Sequence, residues 1–114
     1  MQNVIITELV NNLSFRAEID SPPEIKQSFT TVYVEEKQVK RPTVALANGE
    51  ISVKLNEPND KISNFLKKWH ASKKRINLMI ETNEHMYLLK DCSVKKFENA
   101  EKEFLIYYNT FKEA

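Results

Sequence analysis

A single glycine among 114 residues is the sharpest scarcity in this sequence. Nucleotide-binding loops cradle phosphate with several glycines whose bare backbone lets the anion approach, so no loop of that kind is expected here. The one cysteine, Cys92, leaves no internal disulfide framework and fits a reducing compartment. No apolar run approaches the roughly 18 residues that a membrane-spanning helix needs, so no membrane partner is expected. Charge of one sign is missing too. With 17 basic and 16 acidic residues the net charge is +1, which gives no global pull toward nucleic acid or an anionic membrane. The opening stretch, residues 1–8, lacks a basic leader and a long apolar core, which speaks against a signal peptide.

Hydrophobic residues make up 41% and charged residues 29%, the balance of an ordinary globular chain. The length fits one domain, residues 1–114, that can bury a core without staples. Most of its patterning has period two. Val4 and Ile6 suggest a short first strand, blurred by Ile5, Leu9 and Val10. Leu13, Phe15, Ala17 and Ile19 alternate with polar neighbours, which predicts a strand with one buried face. Pro22 and Pro23 stop it, since neither can donate to a ladder. Residues 29–34 are β-branched and aromatic and predict another strand, followed by a charged loop or hairpin tip over 35–42. Asn48-Gly49 is the strongest hairpin signal, because both residues tolerate the positive φ of a type I′ turn. It would join a strand at Val44 and Leu46 to one at Ile51, Val53 and Leu55.

One segment has a different period. Ile62, Phe65, Leu66 and Trp69 form a single apolar stripe at helical spacing, behind Pro58 and a capping Asn59 or Asp60. An amphipathic helix over about residues 60–72 follows, with Lys67, Lys68, Lys73 and Lys74 near its C-terminal end, where cations complement the dipole. Strand-like runs resume at Ile76–Ile80, 86–94 and 104–110. The last carries apolar residues on both faces, which implies burial on two sides or one face turned toward a partner. The expected fold is mostly β (α+β), a small antiparallel β-barrel or sandwich with one flanking helix.

Candidate chemistry is thin. His70 and His85, even with Asp91 and Cys92, lack the paired spacing of a zinc site. Cys92 shares parity with Val94 and reads as a small core residue rather than a nucleophile, which needs an electropositive, partly exposed thiol. Glu35 and Glu36 fall in the charged loop and read as solvated. No catalytic, cofactor-binding or metal-binding residue is expected, and an enzyme is not. Lys67, Lys68, Lys73, Lys74 and Arg75 place five cations within nine positions. They read first as a solvated helix end, and alternatively as a phosphate-contacting patch of a small nucleic-acid-binding barrel.

The order of elements resembles the tail-tube proteins of contractile-tailed phages and the related tubes of injection systems. The landmarks are residues 13–19 followed by the proline loop at 21–26, then 51–55. The helix start at Asn59-Asp60 comes next, with Phe65–Trp69 behind it and a final aromatic strand through Tyr107 and Tyr108. The resemblance implies a barrel whose copies form hexameric rings that stack into a tube with other tail or tube proteins, in a virion or the cytoplasm. It also implies that spare strands complete a neighbour's sheet, so that Phe29, Val32, Tyr33, Val34, Glu35, Glu36, Lys37, Phe104 and Tyr107 become interface candidates. Nucleic acid would then enter only as lumen cargo. An adaptor or inhibitor that binds a host protein through a strand edge is a further reading.

Overall fold

A computed structural model gives the fold. It describes the backbone of residues 2–24, 26–34, 37–46, 48–57, 59–98 and 102–114, and the side chains of 2–24, 48–57, 59–97 and 102–114. Along the chain run β1 (Gln2–Glu8), β2 (Leu13–Ile19), β3 (Lys26–Val34), β4 (Lys37–Leu46), β5 (Gly49–Leu55), α1 (Asp60–Ser72), β6 (Ile76–Glu81), β7 (Met86–Glu98), β8 (Glu103–Tyr108) and β9 (Thr110–Glu113). Six of the strands close an antiparallel barrel in the order β6-β1-β2-β5-β8-β7, with β7 pairing back onto β6. Closure leaves these six with a neighbour on each side. β9 continues the line of β8 past Asn109 and pairs with the first half of β7.

Period-two patterning fills the interior. Val4, Ile6, Phe15, Ala17, Ile19, Ile51, Val53, Leu55, Leu78 and Ile80 alternate inward, as the sequence predicts. β7 departs from simple alternation: Leu89, Cys92, Val94 and Phe97 all belong to the core or pack against it. Two ladder irregularities make this possible. Ile76 faces Cys92 while Leu78 faces Leu89, and a second shift lies between Val94 and Lys96. At the first, Asp91 takes a left-handed φ of 54° and its N–H donates to the Asn77 Oδ1 at 3.1 Å. Each bulge resets the parity, so residues three apart both face inward.

The helix forms where the apolar stripe predicts it. The Asn59 Oδ1 accepts from the Ile62 N–H at 2.9 Å, and Lys73 ends the helix at a left-handed φ of 55°. Ile62, Leu66 and Trp69 join the barrel core, and α1 packs along β7. The helix thereby closes the mouth of the barrel where β5 and β7 end. The proline segment and the β6–β7 turn lie at the opposite mouth.

Two expectations for the middle of the chain are corrected. Lys37–Leu46 is a strand paired antiparallel with β3, so from Lys37 onward the charged loop expected over 35–42 is replaced by a strand. The ladder shifts between Ser28 and Phe29, beside Pro42, the kind of irregularity that lets a proline sit in a strand. Asn48-Gly49 does not form the expected β4–β5 hairpin. Among the described residues β4 pairs only with β3, β5 pairs with β2 and β8, and neither Asn48 nor Gly49 has positive φ. The molecule measures 63 × 31 × 26 Å.

Candidate assembly surface and basic cleft

Two surface features remain once the barrel is closed. The first is the β3–β4 ribbon together with the outer wall of the barrel. Within β8, Phe104, Ile106 and Tyr108 point inward and are buried, while Leu105 and Tyr107 point outward and are half-buried. Phe104 is thus corrected as an interface candidate: at 2% exposure, with its ring 6.2 Å from that of Phe97, it belongs to the core. Tyr107 keeps an outer position, set between Glu50 on β5 and Ser93 on β7. Of the other candidates, Glu35 and Glu36 lie outside the described residues. Phe29, Val32, Tyr33, Val34 and Lys37 lie in β3 and β4, where only their register is described: Phe29 faces Pro42, Val32 faces Val39, and Val34 faces Lys37.

Sequence reading misses the apolar residues on the outer wall across β1 and β7. Ile5 is 40% exposed and Met86 37%, and both align with Glu81, Ile5 across β1–β6 and Met86 across β6–β7. Half-buried Met79 and Leu88 form the adjacent row. Val10, 81% exposed, sits at the β1–β2 turn. The alternation of β1 hides Ile5, because an outward isoleucine looks like noise in a buried pattern.

The second feature is a cleft of about 340 Å³ between the end of α1 and β7. His70, Lys73 and Arg75 line one wall, Ser93 and Lys95 the other, with Trp69 beneath. The structure divides the basic run. Lys73 and Arg75 join Lys95, which no spacing could have placed there, while Lys68 lines a separate groove beside Asn11, Asn12 and Phe65. Trp69 is buried and its Nε1 donates to the Lys74 carbonyl at 2.9 Å, so its ring is not open to stacking. His70 is exposed, yet its Nδ1 lies 3.2 Å from the Val94 carbonyl and its ring meets Phe97 edge-on at 5.1 Å. Lys95 pairs with Glu50 across the outer surface.

The remaining candidates for chemistry are held apart. His85 sits beside the β6–β7 turn, with its Nδ1 against the Glu113 carboxylate, far along the barrel from His70. Among the described residues no three His, Cys, Asp or Glu side chains converge. Cys92 is buried, and burial pushes its thiol up to about 12, with a Leu78 backbone hydrogen bond working the other way. Among the described residues no helix is long and apolar enough to cross a membrane. No protein-family model matches the chain, and no curated protein matches it.

Proposed function

We propose that the protein is a structural subunit that assembles with copies of itself into rings or a tube. The observation that carries this reading is the β3–β4 ribbon, which pairs with no other described strand. A two-stranded ribbon is marginal in water by itself, and neither outer edge pairs with another described strand, which leaves backbone donors and acceptors for a partner. The barrel, closed on itself, offers the ribbon little within its own chain. A neighbouring copy supplies what is lacking: backbone partners for the edges and cover for outward Leu105, Tyr107, Ile5 and Met79. The element order that resembles tail-tube proteins supports the same reading. Tyr107, β3 and β4 remain the interface residues, joined by Leu105 and Ile5.

Native mass spectrometry and negative-stain imaging of the purified protein test this. The expected result is a ring-sized oligomer or stacks of rings. Val32→Pro, which removes one ribbon N–H, and the pair Leu105→Glu with Tyr107→Glu should each shift the population to monomers that melt as cooperatively as wild type. A wild-type protein that stays monomeric at high concentration overturns the proposal.

A further inference from the structure

The cleft between α1 and β7 adjoins the outer wall of β8 at Ser93, the cross-strand neighbour of Tyr107. Its lining contains Lys73, Arg75, Lys95 and His70 and, among the described residues, no carboxylate. Lys95 is paired with Glu50 on the outer surface, whereas among the described residues neither Lys73 nor Arg75 has a carboxylate partner. Such an arrangement is favourable when an anion shares the site. A guanidinium beside an ammonium suits the regularly spaced anions of a phosphodiester chain better than one acidic side chain.

We infer that this cleft binds the phosphodiester backbone of a nucleic acid, with Lys73, Arg75 and Lys95 as phosphate contacts. The guanidinium of Arg75 offers paired N–H donors to one phosphate, and the ammonium groups act as point charges on its neighbours. The Ser93 hydroxyl is a neutral donor on the opposite wall. With Trp69 buried, no base stacks, so contact is through the backbone and carries little sequence preference. Glu50 holds Lys95 in the absence of ligand and competes with the phosphate for it. This inference does not require self-assembly.

Fluorescence anisotropy with a labelled DNA oligonucleotide, across a salt series, tests it. Three phosphate contacts predict a log–log salt slope of about −2 to −3. Lys73→Glu with Arg75→Glu should lower affinity by about tenfold or more, and the milder Lys73→Gln with Arg75→Gln by a smaller factor in the same direction. Lys54→Glu with Lys112→Glu makes the same change in net charge at residues that do not line the cleft and should alter affinity by about twofold at most. Glu50→Gln, which frees Lys95, should tighten binding by about twofold to fivefold. Thermal melts confirm that each variant is folded, and native mass spectrometry of the same samples reports assembly separately. The inference is overturned by any of three outcomes: no binding by wild type, equal loss in the distal pair, or displacement by polyglutamate as effective as by unlabelled DNA. The last outcome would identify an acidic protein segment as the ligand instead.

Discussion

The Tyr108 hydroxyl lies directly over Gly49: a Cβ built on that glycine would meet the hydroxyl oxygen at 2.6 Å and the Cζ at 2.9 Å. Tyr108 is 3% exposed, and its ring meets Phe111 edge-on at 5.8 Å, so it has no room to swing aside. The one glycine of the chain is therefore needed for close approach, not for a left-handed turn. Gly49→Ala should cost about 1–3 kcal/mol by overpacking, read from chemical denaturation. Combining it with Tyr108→Leu should recover most of that cost, because the obstructing ring is gone. If the alanine costs as much in the Tyr108→Leu background, the close approach is not why glycine is there.

Glu8 supplies a second prediction. Its side chain is 1% exposed, and its two oxygens accept from the Val10 N–H at 2.6 Å and the Asn11 N–H at 2.9 Å. A buried carboxylate thus clamps the β1–β2 turn. Glu8→Gln retains one acceptor and should destabilise by about 1–3 kcal/mol, with faster amide exchange at Val10 and Asn11 than elsewhere in the barrel. Uniform exchange across β1 and β2 in the variant would remove the clamp as an explanation.

These two positions also mark where sequence reasoning stops. The inward rows of β1, β2, β5 and β6 and the stripe Ile62, Leu66, Trp69 were legible, because one buried face imposes a strict period on each element. Gly49 was misread because a local turn preference competes with a tertiary contact 59 positions away, at Tyr108. The parity of β7 was hidden by its two bulges, which no alternation can announce. Lys95 could be placed beside Arg75 only once β7 was seen to run along α1. For the same reason Phe104 and Tyr107, neighbours in one aromatic run, were grouped although the pleat sends them to opposite faces.

The Asp91 bulge gives a third prediction. At φ 54° a β-branched residue crowds its own carbonyl, whereas glycine pays no steric penalty there. Asp91→Val should destabilise by about 1–2 kcal/mol, and Asp91→Gly should be neutral or slightly stabilising despite its added chain entropy. Thermal melts of the pair measure this. Equal stability of the two variants would mean that the bulge relaxes without cost and does not set the inward parity of Leu89 and Cys92.

Cys92 ties burial to alkaline stability. Burial chiefly raises its thiol from 9.0 to about 12, and the Asp91 carboxylate adds to the shift, while the Leu78 backbone hydrogen bond opposes it. Burial likewise raises the phenols of Tyr108 and Tyr87. A folded state that holds its proton more tightly than the unfolded chain is favoured while that proton is bound. The contribution of Cys92 is therefore complete below pH 9.0 and is lost as pH climbs toward about 12. Denaturation midpoints should fall over that window in wild type and fall less steeply in Cys92→Ala, whose remaining slope reports the tyrosines. In the native protein the thiol should also resist alkylation at pH 8 while reacting fully in denaturant, since a neutral, enclosed thiol is a poor nucleophile. Rapid labelling without denaturant, or identical alkaline slopes for the two proteins, would place Cys92 in a more open site than the barrel interior.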